Sequence, residues 1–428
     1  FFPFLFFFNK ICILWNYKLM NKFLKEFKDR GLFYQCTDET NLSDLLDKNK
    51  VKAYIGFDCT AESLHVGSLL QIMCLRLLQQ HGHQPIVLLG GGTTRIGDPS
   101  GRDKTRKILK NNEIERNSKN IEKILKKFLT THNKKTKPIF VDNFKWLKGL
   151  NYISFLRDIG KHFTINKMLT FDSVKTRLDR EQSLSYMEFN YMILQAYDFL
   201  ELNKKENCSL QIGGSDQWGN IVNGVDLIKR CSNKKTFGLT TPLITLASGA
   251  KMGKTVDGAI WLDKKFLSPY DYWQFWRNTD DRDVIKFLKY FTDIKIEEIE
   301  NIKNKDINDL KILLANKTTS MLHGEKESQS CEKTAKEVFS EHSTGSRLPS
   351  IKLNKSLFDK KINLIDLIIF SKLENSKSEV RRLIKGNAIK INNEIINDEK
   401  FLINKKLFND KYLKLSIGKK RHLKIELN

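Results

Sequence analysis

Residues 51–91 read VKAYIGFDCTAESLHVGSLLQIMCLRLLQQHGHQPIVLLGG. The first part, 51–58, is typical of a short buried strand. Apolar residues then recur at helical spacing over 68–83, up to Gly82, a common helix stop. The run 84–91 predicts a second strand that leads into glycines. Strand, helix and strand predict a parallel βαβ unit, with its ligand site at the carboxyl ends of the strands.

The same alternation extends on both sides of this unit. SLQIGG (209–214) predicts another strand, WGNIVNGVDLIKR after it is helical, and 105–135 is a polar helical stretch. We expect an α/β fold with a Rossmann-like doubly wound parallel sheet, followed by other parts. The expected parts are a sheet domain at 20–267, an α-helical domain at 268–342, a linker at 343–360 and a compact basic segment at 361–428.

The charge of the chain favours a polyanionic partner. Lys and Arg number 74 against 50 Asp and Glu, a formal net charge of +24. The last 78 residues alone hold 19 Lys and Arg against 9 Asp and Glu. RNA, DNA and an anionic membrane all fit such an excess. The alternative is a genome-wide drift toward Lys, Asn and Ile.

Seven scattered cysteines form no Cys-x-x-Cys pair, which argues against a zinc ribbon and for a reducing compartment. We therefore expect no tightly bound metal and a cytoplasmic location. Residues 1–19 are apolar and aromatic, but too short to cross a bilayer and without the features of a signal peptide. We interpret them as a non-native or disordered extension. A genuine transit peptide, and so an organelle matrix, is the alternative.

Two short motifs point to nucleotide chemistry. In YIGFDCTAESLHVGS (54–68), a strand is followed by a loop and by His65 and Gly67 at a helix start. That arrangement suits phosphate oxygens, although a lone histidine there is more often a cap. In KMGKT (251–255), two lysines on one loop could neutralise charge that builds on a pyrophosphate. Each motif alone is weak.

Together, in this order and spacing, the two motifs resemble the HIGH and KMSKS signatures of class I aminoacyl-tRNA synthetases. LQIGGSDQWGN (210–220), FLRDIGKHF (155–163) and GGGTTRIGDPSG (90–101) are similar to the bacterial tyrosyl-tRNA synthetases of that class. The resemblance implies tyrosine–tRNA ligase activity, with L-tyrosine, ATP carrying Mg²⁺, and tRNA(Tyr) as partners. It also implies a homodimer, formed through the region around 140–190 that includes Tyr186.

The helical run MEFNYMILQAYDFL carries a polar stripe. Tyr191, Gln195 and Asp198 lie at i, i+4 and i+7, so they share one face. A phenolic substrate would satisfy that stripe: Tyr54 and Asp198 would bracket the hydroxyl, while Tyr191, Gln195 and Asp98 would hold the ammonium. The alternative is a structural network whose members satisfy one another.

The resemblance implies the remaining site residues. The tyrosine site would also include Thr93 and Gln217. The ATP-binding set would be Gly56, Asp58, His65, Gly67, Gly214, Asp216 and Lys254. The residues implied to act in catalysis are His65, Ser68, Thr60, Lys251, Lys254, Arg102 and Arg106.

Four positions depart from the family pattern. Ser68 stands where the signature usually ends in His, and Arg102 stands where Lys is common. Cys59 replaces a usual Pro, and Gly253 replaces the central Ser of KMSKS. None of these changes removes a required functional group, so we expect the site to be catalytically active.

Residues 361–428 resemble an S4-type RNA-binding domain. The signature reads as a short helix, a loop, a second helix that bears Arg381, Arg382 and Lys385, and then the strand AIKINN. These basic side chains would meet a phosphate backbone. The alternative is a solvated basic face.

Two other functions compete with this interpretation. One is a different class I nucleotidyl transferase, such as a tryptophanyl-tRNA synthetase or a small adenylyltransferase. The other is a catalytically idle, synthetase-like RNA-binding or splicing protein. The retained His65, Asp98, Asp198, Lys251 and Lys254 argue against the idle protein.

Overall fold

The computed structural model describes most of the chain. The described ranges are 20–100, 108–249, 252, 254–255, 258–339, 350–353, 362–408, 412–418 and 421–427. The extension at 1–19 therefore lies outside the described residues, as does most of the expected linker. Within that expected linker, Ser350–Leu353 forms a strand.

The chain divides into two compact units. The first comprises Phe1–Asp263 and Asp280–Leu310, and the second comprises Lys264–Thr279 and Lys311–Asn428. The domain boundaries expected from the sequence remain a prediction. Among the described residues, no helix combines the length and apolarity that a membrane crossing requires.

A six-stranded sheet organises the first unit. Its strands are β1 (Gln35–Cys36), β2 (Lys52–Asp58), β3 (Gln84–Gly90), β4 (Ile139–Asp142), β5 (Leu210–Gly214) and β6 (Phe237–Thr241). Their order is β1-β6-β5-β2-β3-β4. The five strands from β6 to β4 are parallel, which confirms the predicted parallel unit. The edge strand β1 pairs antiparallel with β6, so the whole sheet is mixed.

Among the described residues, eleven helices of the first unit precede a twelfth, short one. They are α1 (Lys22–Asp29), α2 (Glu39–Lys48), α3 (Leu69–Gln80), α4 (Asn111–Phe128), α5 (Phe144–Leu147), α6 (Tyr152–Asp158), α7 (Ile165–Leu169), α8 (Asp172–Asp179), α9 (Tyr186–Glu206), α10 (Trp218–Ser232) and α12 (Asp281–Phe291), with α11 falling in the second unit. A short helix α13 (Ile296–Ile302) follows, and a two-stranded ribbon pairs β7 (Lys254–Thr255) with β8 (Gly258–Ala259). The helix predicted over 68–83 is confirmed as α3.

Helix α9 carries the polar stripe, and its start is encoded locally. The Ser185 side chain accepts from the Glu188 backbone N–H, and the Glu188 carboxylate accepts from the Ser185 N–H. This reciprocal capping box fixes the first turn. The helix ends at Asn207, whose positive φ of 54° is a common helix stop. Both ends of α9 are therefore fixed, which sets where the polar stripe lies relative to the sheet.

The second unit contains helices and a small sheet. Its helices are α11 (Pro269–Arg277), most of α14 (Ile307–His323), α15 (Glu325–Phe339), α16 (Leu364–Phe370) and α17 (Lys377–Lys385). The strands of the sheet are β9 (Ser350–Leu353), β10 (Ile389–Ile391), β11 (Glu394–Ile395), β12 (Tyr412–Ile417) and β13 (Arg421–Leu427). Their order is β11-β10-β12-β13-β9. Aliphatic side chains of α16, α17 and this sheet form one buried core.

Candidate active site

A cavity of about 850 Å³ opens at the carboxyl ends of the central parallel strands. Asp58 ends β2, Gly90 ends β3 and Gly214 ends β5, and all three residues line it. This is where ligands bind in open α/β sheets, because loops diverge there and leave a crevice. The position agrees with the ligand site expected from the βαβ pattern.

Most of the expected site residues meet in this cavity. Those that line it are Tyr54, Gly56, Asp58, Thr60, His65, Gly67, Ser68, Thr93, Asp98, Tyr191, Gln195, Asp198, Gly214, Asp216 and Gln217. Arg102, Arg106 and Lys251 lie outside the described residues. For Lys254 only the backbone, in strand β7, is described.

Asp198 is a buried carboxylate held by two donors. Its side chain is 1% exposed. The Asn143 amide donates to one carboxylate oxygen at 2.9 Å, and the Trp146 indole N–H donates to the other at 2.7 Å. Each oxygen of a carboxylate can accept a further hydrogen bond. Asp198 is therefore fixed in orientation while it keeps acceptor capacity for a ligand.

The pKa of Asp198 is raised to about 7, mainly because burial disfavours the charged form. The hydrogen bonds from Asn143 and Trp146 lower that pKa, and the nearby carboxylates of Asp58 and Asp142 raise it. The group therefore titrates close to neutral pH. Such a perturbed carboxyl in a cleft is typical of a functional site.

Tyr54 supplies an unmatched polar atom at the same place. The residue is 1% exposed, and its hydroxyl has no hydrogen-bond partner among the described residues. Its pKa is raised well above the usual value by burial and by the charge of Asp198. A buried hydroxyl without a partner costs free energy unless a ligand completes it. Tyr54 and Asp198 together offer a donor and an acceptor to one small polar group.

A second network borders the cavity on α9 and α10. The Gln217 amide donates to Asp98 at 3.0 Å, and the Asn220 amide donates to both Gln217 and Gln195, at 3.0 and 3.1 Å. This chain orients side-chain oxygens beside a carboxylate. It suits a positively charged group, because oxygens and a negative charge converge there.

The predicted helical face is confirmed, with one addition. Tyr191, Gln195 and Asp198 lie on the single helix α9 and line the same cavity. The Tyr191 hydroxyl also donates to the Asp58 carboxylate at 3.2 Å. Asp58 further accepts from the Thr93 hydroxyl at 2.9 Å. The end of β2 is thereby joined to α9 and to the loop after β3.

His65 has a defined proton position. Its Nδ1 accepts from the Gly67 backbone N–H at 3.0 Å, so the neutral ring carries its proton on Nε2. The segment after it is a short 3₁₀ helix, Val66–Ser68, and the α-helix begins only at Leu69. A Cβ on Gly67 would lie 2.6 Å from the His65 ring. Glycine is therefore required at that position for the ring to sit over the turn.

The loop after β3 also depends on a close approach. A Cβ on Gly90 would lie 2.3 Å from the Asp58 carboxylate and 2.6 Å from the Thr93 hydroxyl. Glycine at this position lets the Asp58–Thr93 hydrogen bond form directly above the strand end. The glycine run that the sequence shows at 90–92 therefore has a packing reason.

Comparisons with known proteins agree with this geometry. A family model described as "tRNA synthetases class I (W and Y)" matches residues 46–340, more than half of the chain. A second, described as "Tyrosine--tRNA ligase SYY-like C-terminal domain", matches residues 341–425. The tyrosine–tRNA ligase of Pelagibacter ubique (strain HTCC1062) is 76% identical over 408 residues, which cover 95% of this chain and 100% of that protein.

The chain belongs to the tyrosine–tRNA ligases of class I. Another relative, the tyrosine–tRNA ligase of Wolbachia sp. subsp. Brugia malayi (strain TRS), is 54% identical over 95% of this chain and 99% of that protein. Among solved structures, a C-terminally truncated Aspergillus nidulans mitochondrial tyrosyl-tRNA synthetase is 31% identical. That match has a TM-score of 0.67 and covers 74% of this chain and 94% of the other. The resemblance stated from the motifs is thus confirmed.

Sequence reasoning missed two residues that contact Asp198 in this cavity. Asn143 and Trp146, the donors to Asp198, were not among the expected site residues. Strand β4 ends at Asp142, so Asn143 stands at the carboxyl end of a parallel strand, where ligand-site residues gather. That position was the available signal, and it required β4 to be recognised first.

The basic residues expected to bind RNA lie on α17 in the second unit. Arg381 and Lys385 both approach Glu399 at 3.7 Å, and Arg382 pairs with Glu379 at 2.9 Å. All three side chains are more than half exposed. Exposed pairs of this kind are weak, so the side chains can exchange partners with a phosphate.

A first prediction follows from the unmatched hydroxyl of Tyr54. Tyr54→Phe removes a buried polar atom that has no partner within the described ranges, so the free energy of unfolding in urea should stay constant or rise by about 1 kcal/mol. Affinity for tyrosine should fall roughly tenfold, because the ligand loses one hydrogen bond.

Tyr270→Phe is the matched control for that substitution. Tyr270 is also buried, but its hydroxyl accepts from the Gln274 amide at 2.8 Å. This control should lower the free energy of unfolding by about 1 kcal/mol and leave tyrosine affinity unchanged. If the two variants behave alike, the Tyr54 hydroxyl is not a ligand group.

A second prediction concerns pH and stability. With a pKa of about 7 in the fold against 3.8 in the unfolded chain, Asp198 keeps a proton that the unfolded chain has released. Its contribution to the free energy of unfolding is present below pH 3.8 and is lost as pH rises toward 7. We therefore subtract the free energy of unfolding of Asp198→Asn from that of the wild type. This difference should fall by about 1.4 kcal/mol per pH unit between pH 5 and 6.5 and then level off. A pH-independent difference between the two proteins, measured by urea unfolding, would contradict the assigned pKa.

Proposed function

We propose that the chain activates L-tyrosine with ATP to tyrosyl-adenylate and pyrophosphate, and then transfers tyrosine to the 3′ end of tRNA(Tyr). The single observation that carries this proposal is that one cavity is lined both by the buried Asp198 carboxylate and by Tyr54, whose hydroxyl has no hydrogen-bond partner among the described residues. A phenol satisfies both groups, since it donates to the carboxylate and accepts from the hydroxyl. Phenylalanine would leave both unpaired, and such sites reject the analogue by ~10⁴–10⁵.

The tyrosine ammonium is assigned to the network on α9 and α10. Asp98 supplies the negative charge, and Gln195 and Tyr191 supply neighbouring oxygens. Thr93 and Gln217 line the same cavity; Thr93 is assigned to the tyrosine site, and Gln217 is assigned to a position near the reacting carboxylate. With both ends held, the carboxylate is presented to the nucleotide in one orientation, which lowers the barrier by positioning.

ATP is assigned to the glycine-lined side of the cavity. Gly56, Gly67 and Gly214 line this side of the cavity and are assigned to backbone contacts with the nucleoside, and Asp216 is assigned to accept from a ribose hydroxyl. The Nε2–H of His65 donates to a phosphate oxygen, consistent with the Nδ1 contact described above. Thr60 and Ser68 line the cavity and are assigned as hydroxyl donors to ATP. Asp58 lines it too and is assigned to the ATP-binding set.

The reaction breaks the bond between the α-phosphorus of ATP and its pyrophosphate as the tyrosine carboxylate attacks. Negative charge then builds on the leaving group. Lys251, Lys254, Arg102 and Arg106 are proposed to neutralise it, an interaction realised mainly in the transition state. Mg²⁺ is proposed to enter bound to the ATP phosphates. Among the described ranges, no group of three His, Cys, Asp or Glu forms a metal site.

A third prediction tests the function itself. In ATP–pyrophosphate exchange with each of the twenty amino acids, only tyrosine should support rapid exchange by the purified chain. Exchange with tryptophan would favour the rival class I enzyme, and no exchange with any amino acid would favour the idle RNA-binding protein. Asp198→Asn should reduce tyrosine-dependent exchange by roughly 2 kcal/mol in kcat/KM, because a charged hydrogen-bond partner is lost.

The C-terminal part is proposed to bind tRNA as an S4-type domain at 361–428. It would follow a catalytic domain at 20–267, an α-helical anticodon-side domain at 268–342 and a linker at 343–360. The exposed basic side chains of α17 and the C-terminal excess of Lys and Arg support this assignment. The protein is proposed to act in the cytoplasm.

A fourth prediction separates the two activities. Replacing Arg381, Arg382 and Lys385 by Ala should leave exchange near wild type while transfer to tRNA falls steeply. The slope of log affinity for tRNA against log salt should become shallower by about 2–3, since each neutralised phosphate contributes about 0.7–0.9.

The matched control replaces three exposed lysines of the first unit, Lys22, Lys48 and Lys50, by Ala. It removes the same charge, so it should leave transfer and the salt slope near wild type. Equal effects of the two triple variants would mean that net charge alone attracts the tRNA.

The chain is also proposed to form a homodimer through the region around 140–190. Large apolar side chains are exposed there, including Tyr152, Ile153, Leu156 and Tyr186. Tyr152, Leu156 and Tyr186 also line an apolar groove of about 460 Å³. Exposed apolar patches of this kind mark protein interfaces.

A fifth prediction tests the dimer. Ile153 is 70% exposed, and Ile153→Asp should convert the dimer to a monomer because it buries a charge in the interface. Ile395→Asp, at a 52% exposed isoleucine of the second unit, is the control and should leave the mass unchanged. Size-exclusion chromatography with light scattering measures the molecular mass of both variants. A dimeric Ile153→Asp protein would exclude this surface.

A further inference from the structure

The one-turn helix α5 is a small element with a large role in the site. Asn143 precedes it and Trp146 lies in it, and these two residues supply both donors to Asp198. Four residues cannot form a stable helix alone, because helix nucleation is costly. No residue of α5 is fully buried. Contacts from outside must therefore hold α5 in place.

Arg95 supplies such contacts from the loop after β3. Its guanidinium carbon lies 3.8 Å from the centre of the Phe144 ring, the first residue of α5. Its Nη1 donates to the Gly91 carbonyl, and its Nε donates to the Asn111 side chain at 3.1 Å. One side chain thus joins the loop after β3, the start of α4 and the start of α5.

The same loop contacts Asn143 directly. The Gly92 N–H donates to the Asn143 side-chain oxygen at 2.7 Å, and the Asn143 amide donates to Thr93 at 3.0 Å and to Asp198 at 2.9 Å. The orientation of the Asn143 side chain therefore depends on how the loop after β3 lies against α5. Arg95 bridges these two elements.

We propose that Arg95 is a positioning residue for the tyrosine hydroxyl: it fixes α5 against the loop after β3, so that Asn143 and Trp146 hold Asp198 in its accepting orientation. The proposal rests on the proposed function, since it deepens the account of the same site. Arg95 lies outside the set of residues that line the cavity. It acts through Asn143, Trp146 and Asp198, and touches no substrate.

Arginine suits this position for a geometric reason. A planar guanidinium stacks on an aromatic ring through its face and donates hydrogen bonds in its plane. Here the face meets Phe144, and the in-plane N–H groups meet Gly91 and Asn111. Lysine could place a charge over the ring, but it could not make the same in-plane bonds. Methionine would keep most of the aliphatic part of the side chain but lose both the stacking on Phe144 and the hydrogen bonds.

The test measures exchange kinetics of the full chain with Arg95→Met and Arg95→Lys. Arg282→Met is the control, because Arg282 is a mostly exposed arginine in the first turn of α12 that pairs with Asp280, the N-cap residue of the same helix. For each protein, KM for tyrosine, KM for ATP, kcat and the ratio of kcat/KM for tyrosine over phenylalanine are measured. Melting temperatures are recorded alongside.

In Arg95→Met, KM for tyrosine should rise about tenfold, while KM for ATP stays within about twofold. The preference for tyrosine over phenylalanine should fall about tenfold, because the acceptor for the hydroxyl is misplaced. Arg95→Lys should lie between wild type and Arg95→Met, and Arg282→Met should match the wild type. If Arg95→Met fails to fold, the intermediate effect expected of Arg95→Lys carries the test.

The pH profile gives a readout that a merely structural role would not move. The hydrogen bonds from Asn143 and Trp146 lower the pKa of Asp198, so their weakening raises it. The acid limb of kcat/KM for tyrosine should therefore shift to higher pH in Arg95→Met. In a double-mutant cycle with Phe144→Leu, the two substitutions should have less than additive effects on KM for tyrosine.

Two results would overturn the proposal. One is an unchanged KM for tyrosine and an unchanged pH profile in Arg95→Met. The other is an equal rise in both KM values with a lower melting temperature and intact discrimination, which is the signature of general destabilisation. Failure of the proposed function is distinguishable, because the wild type itself would then show no tyrosine-dependent exchange, and this proposal would fall with it.

Discussion

The buried carboxylate of Asp198 is the constraint on which the site depends. Removing a charged group from water costs several kcal/mol unless hydrogen bonds and a ligand compensate. Two donors, Asn143 and Trp146, occupy one acceptor position on each oxygen. Asp198 lines the same cavity as Tyr54. The proposed recognition of a hydroxyl rests on these unfilled hydrogen-bonding positions, which a phenol can fill and a hydrocarbon ring cannot.

The fold supplies these groups from four separate elements. Tyr54 comes from β2, Asp198 from α9, and the donors come from the end of β4 and the short helix α5. Parallel strands bring their carboxyl ends to one edge, so β2, β3 and β5 deliver their terminal residues to one crevice. The capping box at Ser185 and Glu188 sets where α9 begins. The spacing of Tyr191, Gln195 and Asp198 then places each of them along the cavity.

Local patterns predicted much of this arrangement. The run 51–91 indicated strand, helix and strand because its apolar residues follow those periods, and the structure confirms β2, α3 and β3. The spacing i, i+4, i+7 predicted the face of α9 because helix geometry depends on sequence separation alone. The motif resemblance then indicated the substrate, and the family comparison supports it.

What the sequence did not reveal depends on long-range contacts. Asn143 is 55 residues from Asp198 along the chain, and no local period links them. The same holds for Arg95 and Phe144, whose stacking requires the loop after β3 to meet α5. The antiparallel pairing of β1 was likewise invisible, because a two-residue strand has no period to detect. Interactions of this kind need the folded structure.

A crystal structure of the full chain with bound L-tyrosine tests the central claim most directly. The phenolic oxygen should lie about 2.5–3.0 Å from both the Tyr54 hydroxyl and an Asp198 carboxylate oxygen, with the ammonium beside Asp98. The Asn143 and Trp146 bonds to Asp198 should be unchanged. A tyrosine bound with its hydroxyl elsewhere, and Tyr54 still without a partner, would contradict the account.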